Sequence, residues 1–304
     1  LVVIGSGPAG LTAGLYGHRA GLEVLIIGGQ DPGGQVMRHH NIENYPGFPG
    51  GVTGPELMAR WLRQVIEEIG SAPEPECVTQ VNFSNPIKLL SVGEKTIRSR
   101  SVIVATGCKS RRMLVPGEDE FYGKGVFFCA TCDGPMLRTM SNRNAVVVGG
   151  GDSAFHTAEA LLPHADSVTI IMRGSKPKAQ RVLTRRLEQN PKTRIIADRS
   201  VIAVKGETSV NQLVLRNVHN GEIELFPVNA VFVGIGQAPA TEFLEGKLEQ
   251  TPEGFLVTDR ELCTSTAGVF GAGDIRDTPL RQIVTAASDG AVAAGSATRY
   301  VRTM

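Results

Sequence analysis

The feature that most constrains the fold is a strand, glycine turn and helix that the chain uses twice, about 144 residues apart. Leu1-Val2-Val3-Ile4 reads as a buried parallel strand, Gly5-Ser6-Gly7-Pro8-Ala9-Gly10 as the turn, Leu11 to Ala20 as a helix and Val24 to Ile27 as the next strand. The second copy runs from Ala145-Val146-Val147-Val148 through Gly149-Gly150-Gly151-Asp152-Ser153-Ala154 into a helix to about Leu162, then a strand from Val168 to Met172. Glycines at this spacing have separate duties. The first permits the tight turn, the second lets backbone N–H groups reach a pyrophosphate, and the third lets helix pack closely on strand. The positive end of the helix then faces the anion. One such turn is weak evidence. Two of them, each between a strand and a helix, predict an α/β protein with two Rossmann-like three-layer nucleotide-binding domains and two dinucleotide-type sites.

A pair of sites of this kind implies a flavin and a nicotinamide, or a flavin beside the remnant of a nicotinamide site. The acidic residue that usually takes a ribose 2′-OH about 20 residues on is missing after the first turn, where the strand ends in Gly28-Gly29. A third glycine-rich place, Val269-Phe270-Gly271-Ala272-Gly273-Asp274, sets an aspartate where it can accept a hydrogen bond from a sugar-like hydroxyl, as on the ribityl chain of FAD. It is followed by a small-residue helix beginning near Arg281-Gln282. With Ala105-Thr106-Gly107 ending the strand Val102 to Ala105, the flavin half is discontinuous. The expected division is residues 1–110 and 240–304 for an FAD-binding domain, with 111–239 inserted as an NAD(P)H-type domain.

The chemistry centres on Phe128-Cys129-Ala130-Thr131-Cys132-Asp133-Gly134. Two cysteines separated by two residues can close a small disulfide ring, and a helix start favours the thiolate, the reactive form. Asp133 is the candidate acid/base beside them. Half of a zinc site is the competing reading, but it needs two more ligands. Cys77, Cys108 and Cys263 are scattered singly, and His39-His40 has no cysteine pair nearby, so no metal is expected. Five cysteines in no regular framework argue for a reducing, cytoplasmic setting. The 31 basic and 30 acidic residues nearly cancel, which makes nucleic acid a poor partner and leaves no polybasic membrane tail. The apolar start, Leu1 to Ile4, is too short before its glycine turn to be a signal peptide or a spanning helix.

Taken in order, Gly5-Ser6-Gly7-Pro8-Ala9-Gly10, Gly33-Gly34-Gln35, Glu43-Asn44-Tyr45-Pro46-Gly47-Phe48, Cys129-Ala130-Thr131-Cys132-Asp133-Gly134, Gly271-Ala272-Gly273-Asp274 and Arg281-Gln282 resemble the low-molecular-weight thioredoxin reductases over nearly the whole chain. The resemblance implies a homodimer with FAD in each subunit. Electrons would pass from a donor to flavin, to the Cys129/Cys132 pair, and on to thioredoxin or a similar protein. It places the flavin on Gly5, Gly7, Pro8, Ala9, Gly10, Gly34, Gln35, Asn44, Thr106, Gly107, Gly273, Asp274, Arg281 and Gln282. It places the nicotinamide nucleotide on Gly149, Gly151, Asp152, Ser153, Ala154 and Arg173. It further implies that Cys132 faces the flavin, that Cys129 attacks the partner disulfide, and that the nucleotide domain rotates between two arrangements.

One departure matters. NADPH-using members carry a His-Arg-Arg-x-x-x-Arg pattern after the second nucleotide strand, where guanidinium groups hold the 2′-phosphate bidentately. Here the stretch is Met172-Arg173-Gly174-Ser175-Lys176-Pro177-Lys178, and Phe155-His156-Thr157 replaces an apolar residue and two glutamates. Two readings follow: tolerated drift in a working NADPH site, or an altered site with ferredoxin or another carrier as donor. A flavin-binding redox sensor with little turnover is the alternative of a different class. His39-His40 is expected in an exposed loop, Trp61 in packing, Cys108 as a bystander thiol, and Arg181 to Arg186 on a solvated helix face where an acidic carrier could dock.

Overall fold

Val2, Val3 and Ile4 are buried and β-branched, and they form the strand β1 (Val2–Ile4). Helix α1 (Pro8–Arg19) begins three residues before the apolar pattern indicates. Pro8 accounts for the difference: in the first turn its missing N–H leaves nothing unpaired and its φ is already helical. β2 (Leu25–Ile27) runs parallel to β1, with Val3 opposite Ile26. Helix α2 (Gly54–Ile69) is capped by Thr53, whose hydroxyl accepts from the Glu56 N–H at 3.2 Å, and ends at Gly70 in the left-handed region. The strands β3 (Val78–Asn82), β4 (Lys88–Val92) and β5 (Lys95–Ser99) form an antiparallel sheet. β6 (Val102–Val104) then pairs with the other edge of β1. The structure, a computed structural model, describes residues 1–29, 32–38, 42 and 44–304; His39, His40 and Glu43 lie outside the described residues.

After β7 (Cys108–Ser110) the chain builds β8 (Val126–Phe127), the one-turn helix α3 (Ala130–Asp133), β9 (Asn144–Val148), α4 (Asp152–Leu161), β10 (Ser167–Ile171), α5 (Arg181–Glu188) and β11 (Thr193–Ile196). An antiparallel trio follows, β12 (Arg199–Gly206), β13 (Val210–Asn217) and β14 (Ile223–Pro227), before β15 (Ala230–Val233) completes a parallel sheet in the order β11-β10-β9-β15-β8. The chain leaves through β16 (Gln237–Pro239). β17 (Val269–Gly271) then adds to the edge of the first sheet, in the order β17-β6-β1-β2, and the long helix α6 (Ile283–Arg302) follows.

Two units result, Leu1–Lys109 with Ala238–Met304, and Ser110–Gln237. Each is three-layered, and the period-2 alternation of its strands decides which residue faces which layer. In the first unit Val3, Ile103 and Phe270 pack with α1, α2 and α6, while Val2, Ile4, Val102 and Val104 pack with Val81 and Leu90 of the antiparallel sheet. In the second, Val147 and Ile170 meet Phe155 and Leu161 of α4, whereas Val146, Val148 and Ile171 meet Val201 and Leu213. Trp61 is half-buried and stands edge-on to Tyr45 at 5.7 Å, a packing role. Among the described residues no helix is long and apolar enough to cross a membrane.

Candidate functional site

The first glycine turn is enforced by backbone. Gly5 has φ +112°, and a Cβ there would lie 2.3 Å from the Ala105 carbonyl oxygen; one on Gly10 would lie 1.9 Å from the Gly5 oxygen. Gly7, by contrast, caps α1 with nothing within 4 Å of the space a side chain would fill. The turn is thus closed behind and open at the helix start, which is the geometry an anionic group needs to approach bare N–H groups. Gly34 comes to this place too, since a Cβ there would sit 3.3 Å from the Gly7 Cα, and the Gly33 N–H donates to the Ser6 carbonyl at 2.9 Å. The missing acidic residue at the end of β2 has a steric reason. Ser6 is buried, its hydroxyl donates to the Gly28 carbonyl at 3.1 Å, and any Cβ at Gly28 would stand 2.6 Å from that hydroxyl oxygen.

The third glycine segment lies over the same helix start. A Cβ on Gly273, at φ +78°, would meet the Ala9 Cβ at 2.8 Å. Burial pushes the neighbouring Asp274 carboxyl up to about 6, with Arg281 pulling it back and Asp289 adding to the rise. The Arg281 guanidinium rests over the Phe255 ring at 4.2 Å. Gln282 caps α6 in reciprocal hydrogen bonds with Thr285, and its side-chain oxygen accepts from the Asn44 amide at 2.8 Å, which joins two candidates 238 residues apart. Thr106 donates its hydroxyl to the Ala240 carbonyl at 2.8 Å, and Gly107 adopts φ +69°. Gln35 is exposed in a 3₁₀ turn. Cys108 is buried, and that burial pushes its thiol up to about 12. The reactive form is correspondingly disfavoured.

In the second unit, Cys129 and Cys132 are joined in a disulfide of 2.10 Å. Cys129 is the N-cap of α3, and its sulfur accepts from the Cys132 N–H at 3.2 Å. After reduction that amide would favour a thiolate on Cys129. Asp133, the next residue, is buried. Burial pushes its carboxyl up to about 7, partly opposed by a backbone hydrogen bond from Cys129. A carboxyl that exchanges protons near neutrality beside a dithiol/disulfide pair suits proton transfer.

The second glycine turn uses the same device differently. Gly149, at φ +142°, would put a Cβ 2.4 Å from the Gly234 oxygen, and Gly151, the N-cap of α4, has nothing within 4 Å. Asp152, Ser153 and Ala154 form the first turn of α4, where Ala154 is fully buried. Behind Gly150, however, stands the flexible side chain of Met172. The exposed segment from Arg173 to Gln180 folds back to the turn at two points. The Lys178 N–H donates to the Gly150 carbonyl at 2.7 Å, and the Gln180 N–H donates to the Asp152 carboxylate at 2.8 Å. Arg173, Lys176 and Lys178 are all exposed on it. On α5, Arg181, Arg185 and Arg186 are exposed, and Arg186 pairs with Glu159.

Two nucleotide-type turns and a closed Cys-x-x-Cys disulfide on one chain are matched by known proteins. Residues 1–290 match the pyridine nucleotide-disulphide oxidoreductases. The chain is 38% identical to a thioredoxin reductase of Treponema pallidum, with 100% of this chain and 97% of that protein aligned. It is 41% identical to a bifunctional thioredoxin reductase/thioredoxin of Mycobacterium leprae, of which it spans 65%, with 99% of this chain aligned. The structure of a thioredoxin reductase from Streptococcus pyogenes superimposes with a TM-score of 0.88 at 35% identity, covering 100% of this chain and 98% of that one. The chain belongs to the low-molecular-weight thioredoxin reductases within the pyridine nucleotide-disulphide oxidoreductase family.

Membership makes it an FAD-dependent disulfide oxidoreductase, and the first unit fits that cofactor. The open position at Gly7 offers a pyrophosphate the bare amides of α1, and the half-buried Asp274 carboxyl offers a sugar hydroxyl an acceptor. Some residues at this site escaped the sequence reading. Arg276 and Asp289 form a largely buried ion pair beside the Gly273 turn. The available signal was that Asp289 is the lone acidic residue in the twenty of α6.

Proposed function

We propose that the protein is a homodimeric, cytoplasmic thioredoxin reductase that takes two electrons from NADPH through FAD to Cys129–Cys132 and delivers them to the disulfide of thioredoxin or a thioredoxin-like protein. The observation that carries this reading is the closed Cys129–Cys132 disulfide with a near-neutral, buried carboxyl on the next residue. Names of relatives at 38–41% identity over the whole of this chain point the same way. FAD supplies the exchange between a two-electron hydride donor and a dithiol/disulfide couple. The chain's own part is thiol–disulfide exchange. In the reduced protein the Cys129 thiolate attacks one sulfur of the partner disulfide and expels the other as a thiolate. Cys132 then attacks Cys129 and frees the second partner thiolate. The pair ends oxidised and the partner disulfide ends as two thiols, with Asp133 handing protons to the departing sulfur.

Arg173, Lys176 and Lys178 would hold the adenosine 2′-phosphate of NADPH as point charges or single contacts. Gly174, where the resemblance calls for a second arginine, supports a second reading in which a reduced ferredoxin or another carrier is the donor.

An anaerobic absorbance titration separates the two. Stoichiometric NADPH is expected to bleach the flavin band, and catalytic protein is expected to reduce thioredoxin continuously. Cys129→Ser and Cys132→Ser should each abolish that turnover. Bleaching by a strong chemical reductant alone would move the donor to another carrier. Stoichiometric reduction without turnover would leave a redox sensor.

A further inference from the structure

The Gly273–Gln282 segment contains four of the residues expected at the flavin, and three of the hydrogen bonds that hold it go to one side chain outside it, that of Asp289. Asp289 lies on the face of α6 turned toward α1. Ala286 of the same face lies 3.6 Å from the place a Cβ on Gly273 would occupy, and a Cβ on Gly290 would stand 2.2 Å from the Ala9 carbonyl oxygen. Asp289 is 9% exposed, and its carboxylate makes three bonds. Oδ2 accepts from the Gly273 backbone N–H at 3.1 Å and from Arg276 Nε at 2.6 Å, while Oδ1 accepts from Arg276 Nη2 at 3.1 Å. The Arg276 carbonyl in turn accepts from Arg281 Nη2 at 3.5 Å. One carboxylate therefore fixes the amide of a left-handed glycine at the start of the segment, and through Arg276 reaches the arginine near its end.

Burying such a pair is costly, and apolar residues of similar volume often serve stability as well or better. A planar, two-pronged arginine on a carboxylate gives direction as well as attraction. Gly273 needs that direction, because glycine loses more freedom on ordering than any other residue. We infer that Asp289 and Arg276 are a positioning pair that holds the Gly273–Asp274 turn and Arg281 in the conformation that receives FAD. Neither residue is assigned contact with the flavin. The inference rests on the reading of this unit as the flavin-binding one.

The test uses purified flavin-loaded protein and reads flavin release. Holoprotein is diluted, and the fluorescence of freed FAD is followed, with the visible band of the bound flavin recorded beforehand. Asp289→Asn is expected to release FAD at least tenfold faster and to alter the shape of the visible band. The double change Asp289→Leu with Arg276→Met removes both charges together and keeps the volume, so it is the variant expected to fold. It too should release FAD at least tenfold faster, although its thermal unfolding in the flavin-free state matches that of the parent. Release at the parent rate from the double variant would overturn the positioning role and leave a purely structural ion pair. Parent protein that holds no flavin would overturn the reading of the unit itself, a result distinct from equal release by two yellow proteins.

Discussion

The two glycine turns share a fingerprint and differ in what stands behind them. At Gly5 and Gly10 the obstacles to a side chain are carbonyl oxygens, at 2.3 and 1.9 Å, and α6 closes on the same place through Gly290, as the Gly273 turn does against Ala9. The second turn has one such obstacle, the Gly234 oxygen 2.4 Å from a Cβ on Gly149, but a Cβ on Gly150 would meet the Met172 side chain at 3.2 Å, and the exposed loop beside it is tied to the turn by two hydrogen bonds. Backbone cannot give way, whereas methionine repacks readily. The difference teaches that glycine spacing specifies the path of the chain, while the neighbours decide how firmly that path is held. A cofactor that remains bound suits the first arrangement, and a substrate that comes and goes suits the second.

The sharpest way to break this contrast is to place a side chain at each turn. Gly5→Val combines a left-handed φ with a backbone collision, and is expected to cost several kcal/mol, so that little flavin-containing protein accumulates. Gly150→Ala should cost about 1 kcal/mol or less and leave the flavin content unchanged. Soluble yield and the ratio of visible to ultraviolet absorbance check both. Equal losses at the two positions would remove the distinction between a position backed by backbone and one backed by a side chain.

The carboxyls beside the two sites titrate differently. Burial raises Asp133 to about 7 against the pull of the Cys129 backbone hydrogen bond, whereas Asp274 reaches about 6 because Arg281 offsets part of the burial. For a raised carboxyl the folded chain keeps a proton that the unfolded chain has lost. The associated stability is fully present below pH 3.8, declines as pH rises, and is gone once pH passes the folded value. Between pH 5 and pH 8 the protein should lose on the order of a few kcal/mol through Asp133, and less through Asp274. Denaturant unfolding at those two values should show the fall in the parent and a flatter profile in Asp133→Asn. An equally steep fall in the variant would assign the effect elsewhere.

What was legible in the sequence and what was not divide along physical lines. The glycine turns were legible because backbone sterics leave only glycine at Gly5, Gly10 and Gly149, and because continuous apolar strands precede them. The cysteine pair was legible because its two ends are three residues apart, within one turn of chain. The bonds from Lys178 and Gln180 to the second turn were not, since their donors are backbone N–H groups that any residue but proline would supply. The Ser6–Gly28 contact, 22 residues apart, turns an absent acid into a steric necessity that spacing alone does not reveal. Asp289 and Arg276 escaped because the pair spans a turn and the start of a helix, 13 residues apart.

Gly174 sharpens the comparison on the nucleotide side. Its backbone does not lie in the left-handed region, and the nearest obstacle to a Cβ is the Lys176 oxygen at 3.5 Å, ordinary contact. Gly174→Arg is therefore accommodated, and would add a planar guanidinium beside Arg173. One charge-assisted bond of that kind contributes about 1.5–3 kcal/mol. The Michaelis constant for NADPH should fall about tenfold, with that for NADH unchanged. A parallel change for both nucleotides would mean that the loop does not meet the 2′-phosphate.

The smallest effect expected is the most direct probe of the loosely held turn. Asp152 is exposed at the start of α4, and its carboxylate receives the Gln180 N–H across 28 residues of chain. Asp152→Ala removes that anchor and leaves the Lys178 amide on the Gly150 carbonyl. The lost bond is a charge-assisted one at the surface, worth about 1 kcal/mol. The Michaelis constant for NADPH should rise a few-fold with the turnover number unchanged, because the loop must be ordered anew each time a nucleotide binds. Trypsin should cut after Lys178 faster in the variant, and flavin release should stay at the parent rate. Faster flavin release together with faster cutting would show that the two turns are not held independently, and the contrast between them would fail.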